Sequence, residues 1–343
     1  MPGDPILVWG AGAIGGTVGA FLVRAGHDVT FVDIVEEHVR AIAAPGRGLA
    51  IRGPVAEFSV TAPAFLPSEL TGVWRKVFLC VKAHHTQAAT TALLPHLASD
   101  GYVLSLQNGL CETVIAPIVG RERTMGAFVN FGADWMGPGE VLYGNRGAVV
   151  LGELDGRITG RLVSLHRLML DVDDRAVMTD NIWGYLWGKL AYGAMLFAQA
   201  TGQDSIAGAL ANPSLFPLWL GLGREVMAVA AAEGVRAEGF NGFDPDAFRP
   251  GGTEAAAKAS IAAMVAFNRT SAKTHSGVWR DLAVRKRRTE VDAQLVPVSV
   301  IARRHGLATP LIDHLVAMIH EIEDGRRPMT DANLLELAGL VAA

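Results

Sequence analysis

Over about the first 180 residues, short β-branched apolar runs alternate with stretches whose apolar residues recur at helical spacing. Ile6–Trp9 reads as a strand, followed by a glycine-rich turn and a helix to about Ala25. Gly26-His27-Asp28 then punctuates the chain before a second strand at Val29–Val32. Later runs at Val77–Val81, Tyr102–Leu106 and Thr124–Val129 have strand length, and Glu37–Ala44, Thr86–Ala98 and Glu112–Ile118 suit helical crossovers. Such alternation predicts a mostly parallel sheet. The glycine-punctuated segment Trp135–Val150 predicts added antiparallel strands.

From about Asp180 the pattern changes. Ala, Leu and Met recur at helical spacing, and the breaks fall at Asn212-Pro213, at Gly239–Gly252 and at Gly306…Pro310. Two domains follow: an α/β domain over 1–179 and an all-α domain over 180–343.

The strongest local signal is Gly10-Ala11-Gly12-Ala13-Ile14-Gly15, a G-x-G-x-x-G between a predicted strand and a predicted helix. Gly10 permits a tight turn, Gly12 lets backbone approach a pyrophosphate, and Gly15 permits close helix–strand packing. The helix start directs N–H groups, including those of Ala13 and Ile14, at the anion. Asp33 closes the second strand 23 positions after Gly10. A carboxylate there accepts from the adenosine ribose hydroxyls and repels a 2′-phosphate, which predicts NAD(H) in preference to NADP(H).

Two further strand ends carry chemistry. Lys82 follows Val77–Val81 and is placed near the cofactor; the adjacent His84 and His85 read as polar loop residues rather than metal ligands. Asn108, after Tyr102–Leu106, can bond a nicotinamide amide or a substrate carbonyl, and an ordinary Asn-Gly turn accounts for it equally well.

In the second domain Lys189 is the only cation between Asp180 and Leu222, on a predicted helix. A lysine held in an apolar setting can give a proton to a nascent alkoxide; the alternative is one that snorkels to the surface. His275-Ser276 leads into a predicted helix carrying Arg285-Lys286-Arg287-Arg288 and Glu290, where Glu290 pairs formally with Lys286 at i, i+4.

Composition narrows the function classes. Apolar residues make up 50% of the 343 residues and charged residues 19%, which excludes intrinsic disorder. A net charge of −4 gives no global basic field for nucleic acid, so the cation run reads as a solvated face. Cys80 and Cys111 form no disulfide framework, and Met1-Pro2-Gly3-Asp4 lacks the basic run of a secretory signal. No uncharged apolar stretch has the ~18–20 residues of a membrane span. A cytoplasmic protein without metal, membrane or nucleic-acid partners is expected.

Taken together, the glycine motif, Val81-Lys82-Ala83, Leu106-Gln107-Asn108-Gly109, Trp187-Gly188-Lys189-Leu190 and Arg287-Arg288-Thr289-Glu290-Val291-Asp292 resemble the ketopantoate reductase (2-dehydropantoate 2-reductase) family across nearly the whole chain. The resemblance implies a Rossmann domain, a helical domain like the C-terminal domain of 6-phosphogluconate dehydrogenase, and an active site in the cleft between them. It implies reversible hydride transfer between a 2-keto and a 2-hydroxy acid. Lys189 would be the catalytic lysine, Asn108 the residue touching nicotinamide and substrate, and Glu290 the cleft glutamate; a homodimer through the helical domain is compatible with it.

The departures are specific. Gly193 and Phe197 stand where the family carries substrate-holding asparagines, and Asp33 stands where it usually carries an arginine for NADP. Ser276, beside His275, matches the family's substrate serine only with an insertion. Loss of two polar anchors argues for a substrate different from ketopantoate, larger or less polar. Reductive amination by an opine-type dehydrogenase and a non-catalytic NAD(H) sensor are the competing readings.

Overall fold

The structure, a computed structural model, describes residues 4–270 and 274–342. Met1–Gly3, part of the segment read for a secretory signal, lie outside the described residues. Two compact units make up the chain, one ending at Ile182 and the next opening at Trp183.

Among the described residues, twelve strands belong to the first unit: β1 (Ile6–Trp9), β2 (Val29–Val32), β3 (Leu49–Arg52), β4 (Phe58–Val60), β5 (Ala64–Phe65), β6 (Trp74–Leu79), β7 (Leu97–Ser105), β8 (Thr124–Val129), β9 (Gly132–Gly137), β10 (Glu140–Asn145), β11 (Val149–Glu153) and β12 (Val177–Met178). Eight form one sheet in the order β12-β11-β8-β7-β6-β1-β2-β5. Its neighbours run parallel except β11 against β8. The central strands are continuous apolar runs because they are buried on both faces: Leu7, Val8, Phe31, Val77 and Phe78 have no exposed surface.

The remaining strands form a second sheet, β4-β3-β10-β9, in which β10 runs parallel to β3 and antiparallel to β9. It covers the helix Ala13–Arg24, whose Phe21 meets Phe58 and Tyr143 edge-on at 5.0 and 5.7 Å. The expected antiparallel strands at 135–150 are therefore split: β9 and β10 serve the second sheet, and β11 extends the first.

Several expected boundaries move for local reasons. The helix expected over Thr86–Ala98 ends at Leu93, because Pro95 has no N–H to donate; a single 3₁₀ turn follows, and β7 already begins at Leu97. β3, β4, β5 and β12 span two to four residues, too short for periodicity to reveal.

Every regular element among the described residues of the second unit is a helix, apart from one isolated bridge between Phe240 and Phe243. Its helix Phe216–Ala232, with the preceding turn from Pro213, is long and apolar enough to cross a membrane by length and composition. It is a core helix here: Trp219, Leu222, Val226 and Val229 are fully buried, and its Glu225 accepts from the N–H groups of Leu311 and Ile312 at 2.9 and 3.0 Å. The helix expected to carry Arg285–Asp292 is absent. Gly277–Ala283 stops before the cation run, Lys286 takes a φ of +49°, and a new turn starts at Val291. The buried Asp281 carboxylate draws Arg285 and Arg287 to it at 3.0 and 2.9 Å while Arg288 reaches Glu323 at 3.1 Å, so the i, i+4 pairing of Lys286 with Glu290 has no helix to stand on.

Candidate active site

At the carboxyl edge of the large sheet, pairing runs one residue past the strands. Gly10 N–H donates to Val32 O at 2.7 Å, Cys80 N–H to Trp9 O at 2.8 Å and Leu106 N–H to Leu79 O at 2.9 Å. These bonds fix where each loop departs, so Gly10, Asp33, Lys82 and Asn108 all leave from one edge, the usual ligand side of such sheets.

The glycine turn is close-fitting on one side and open on the other. Gly10 has a φ of +96°, and a Cβ there would lie 2.8 Å from the Val81 nitrogen. A Cβ on Gly15 would lie 2.0 Å from Gly10 O, so only glycine fits. Before Gly12, by contrast, a Cβ would meet nothing within 4 Å, and Gly12 gives the helix Ala13–Arg24 no side-chain cap. An uncapped helix start behind an open glycine fits a pyrophosphate.

Ala11 is held from both sides. Its N–H donates to Asp33 Oδ2 at 2.8 Å, while Asp33 Oδ1 accepts from Val35 N–H at 3.0 Å. The ring of His38 lies 2.8 Å by Nε2 from Ala11 O and 2.8 Å by Nδ1 from the Gly139 nitrogen. Since Gly139 N–H can only donate, Nδ1 accepts and Nε2 carries the proton. Arg40, a cation on the same helix, is engaged by Glu69 at 2.5 Å and Glu36 at 3.5 Å, and these carboxylates raise its pKa.

Lys82 is exposed and precedes a 3₁₀ turn over Ala83–His85, and Asn108 is exposed as well. Between them runs a bond through the buried Gln107, whose amide donates to Val81 O and to Thr86 Oγ1, both at 2.9 Å. His84 and His85 meet edge-on with ring centroids 4.1 Å apart; among the described residues no group of three His, Cys, Asp or Glu could hold a metal. His38 and Gln107 were not singled out from sequence. Gln107 lies inside Leu106-Gln107-Asn108-Gly109, whereas nothing local marks His38.

In the helical unit, Lys189 lies on the helix Ile182–Gln199 and is half-buried. A Cβ on the preceding Gly188 would lie 2.1 Å from Glu238 O, and Glu238 N–H donates to Gly184 O at 2.9 Å. Gly184 and Gly188 thus let a loop lie directly on one face of the helix. Tyr185, Lys189 and Gly193 share the neighbouring face at i, i+4 spacing. A Cβ on Gly193 would meet nothing within 4 Å, and burial, with the Glu238 carboxylate, raises the Tyr185 phenol above its usual range. Phe197 is a core residue at 1% exposure, and Glu290 is buried at 7%. Ser276 is also buried, and its hydroxyl caps the helix Gly277–Ala283 by accepting from Trp279 N–H at 3.1 Å. His275 packs against Trp279, the rings tilted with centroids 4.1 Å apart, and bonds Gln203 O at 3.2 Å.

Residues 6–156 match the family described as ketopantoate reductase PanE/ApbA, and residues 181–323 match the C-terminal domain of that family. The chain belongs to the ketopantoate reductase PanE/ApbA family, a family of oxidoreductases built from a Rossmann domain and a helical C-terminal domain. A 2-dehydropantoate 2-reductase of Archaeoglobus fulgidus is 27% identical over 322 residues, spanning 93% of this chain and 98% of its own. The solved structure of a PanE/ApbA family ketopantoate reductase from Ralstonia eutropha JMP134 is 27% identical, with a TM-score of 0.78 over 94% of this chain and 99% of that one. A D-mandelate dehydrogenase solved with NADH and anilino(oxo)acetate shares the fold at 23% identity and a TM-score of 0.79, over 94% of this chain and 99% of its own.

Proposed function

We propose that this protein catalyses reversible hydride transfer between NAD(H) and a 2-keto/2-hydroxy acid, in a reducing cytoplasmic compartment. Residues 1–179 would bind the dinucleotide and 180–343 would supply substrate contacts. The observation that carries the reading is the open face at Gly12, before an uncapped helix and flanked by Asp33. When bound, the nicotinamide supplies or accepts the hydride. Gly10, Ala11, Gly12, Ala13, Ile14 and Gly15 form the pyrophosphate turn. Asp33 still has lone pairs for the ribose hydroxyls, and its charge disfavours a 2′-phosphate; the pairing of Arg40 with Glu69 supports NAD(H) over NADP(H).

The Lys189 ammonium gives a proton to the carbonyl oxygen in reduction, and the amine takes it back in oxidation. Asn108 orients the nicotinamide and the substrate by its amide, Lys82 lies near the cofactor, and Glu290 sets the charge around the reacting acid. His275 and Ser276 would stand at the far wall. The room beside Gly193, one turn beyond Lys189, favours a substrate whose side chain is bulkier or less polar than that of ketopantoate. The deciding measurement is the initial rate of NADH and NADPH oxidation with ketopantoate and with phenylglyoxylate as a bulkier 2-keto acid. Faster turnover of phenylglyoxylate with NADH is expected. Faster turnover of ketopantoate with NADPH would overturn both specificity assignments, and no turnover of any 2-keto acid would overturn the activity.

A further inference from the structure

His38 is 1% exposed on the helix Glu36–Ala43, yet neither of the bonds its ring makes to backbone serves that helix. One reaches back 27 residues to Ala11 O and the other forward 101 residues to Gly139 N–H, at the turn between β9 and β10. The indole Nε1 of Trp135, on β9, stands 3.4 Å from the same Nδ1, with the rings edge-on at 5.9 Å. A buried imidazole is costly unless both nitrogens are satisfied, and here both are satisfied by backbone from two separate elements.

The bond to Ala11 has a geometric consequence. In a planar trans peptide, Ala11 C=O and Gly12 N–H point in opposite directions. Holding the carbonyl toward His38 therefore turns Gly12 N–H away from the interior, at the residue whose Cβ position meets nothing within 4 Å. Asp33 fixes the preceding peptide plane through Ala11 N–H. Resting on the dinucleotide reading above, we propose that His38 is a positioning residue: it aims Gly12 N–H at the pyrophosphate and ties that aim to the β9–β10 hairpin of the second sheet.

Two substitutions separate the two nitrogens. His38→Gln keeps a donor near the Nε2 position for Ala11 O and gives up the acceptor for Gly139. His38→Asn keeps an acceptor near Nδ1 for Gly139 and gives up the donor for Ala11. For His38→Asn the dissociation constant of NADH, followed by fluorescence titration, rises about tenfold or more, the scale of one buried hydrogen bond. The loss falls on KM for NADH rather than on kcat. His38→Gln recovers most of the affinity, although it loses as much thermal stability. Equal NADH affinity in both variants, or a loss that follows melting temperature instead of the Ala11 side, overturns the proposal while leaving the dinucleotide reading intact. Wild-type protein that neither binds nor oxidises NADH overturns both. Should the variants not fold, wild-type protein labelled with ¹⁵N-histidine carries the same test. NADH is expected to shift the Nε2–H resonance of His38 in the Nε2-protonated tautomer, and an unmoved resonance at saturating NADH overturns the assignment.

Discussion

The helices Ala13–Arg24 and Ile182–Gln199 belong to different units, yet both use glycine in two opposite ways. In the first, Gly15 lies so close to Gly10 O that a Cβ would sit 2.0 Å from it; in the second, Gly188 stands in the same relation to Glu238 O at 2.1 Å. Gly12 and Gly193 instead face open space. The first kind of glycine brings backbone against backbone and belongs to the architecture. The second kind leaves open space beside a chemically capable neighbour: a helix N-terminus in one case, Lys189 in the other. The difference between the helices lies in the neighbours. The first offers only peptide dipoles, suited to holding an anion, and the second offers a titratable amine, suited to moving a proton.

The largest effect expected from breaking this comparison is at the amine. Lys189→Ala should lower kcat by roughly a hundredfold to ten-thousandfold, the range of a lost general acid, with NADH affinity nearly unchanged in a binding titration. Retained turnover would remove Lys189 from the chemistry.

Next come the glycines themselves. Gly15→Ala and Gly188→Ala should each lower unfolding free energy by about 1–3 kcal/mol in denaturant titrations, because backbone must move to admit the methyl group. Gly12→Ala should leave stability intact and weaken NADH binding. Gly193→Asn should likewise fold normally and shift the preference among 2-keto acids toward the smaller, more polar ones. Destabilisation at Gly12 or Gly193 as large as at Gly15 would erase the distinction between the two kinds.

A smaller effect is expected at Asp33. Asp33→Asn keeps an acceptor for Ala11 N–H but removes the charge, and the NADPH-to-NADH ratio of kcat/KM should rise by about tenfold.

The smallest effect lies away from both helices. Burial, opposed by the bonds from Leu311 and Ile312, pushes the Glu225 carboxyl up to about 7. Its folded value lies above its unfolded one, so the folded state holds the proton more tightly. Its contribution to stability is full below the unfolded value near 4.5 and is lost as pH rises through about 7. Melting temperature should fall over that window by the equivalent of about 1 kcal/mol after solvent screening, and Glu225→Gln should flatten the slope.

The contrast also explains what sequence could and could not reveal. The turn at Gly10–Gly15 was legible because strand, glycine spacing, helix and Asp33 lie within one local βαβ pattern. Gly184, Gly188 and Gly193 look alike in sequence; only the loop lying on Gly188 tells a packing glycine from an open one. The second sheet was illegible for a related reason. Leu49–Arg52 has four residues, and its partner in β10 lies some ninety positions further on, beyond any periodicity window. Helix propensity alone does not show the break at the cation run, where the buried charge of Asp281 gathers Arg285 and Arg287. His38 gave no signal because what its ring holds on Ala11 and Gly139 are peptide groups, which carry no residue identity.

The bond from Gly139 to His38 also sets an order on biosynthesis. A ribosome that has emitted the first hundred residues has delivered the entire glycine motif, Asp33 and His38. It has not yet delivered β10, which pairs with β3, or the peptide group that fixes the imidazole tautomer. The nascent chain therefore carries a complete fingerprint before it carries a finished turn.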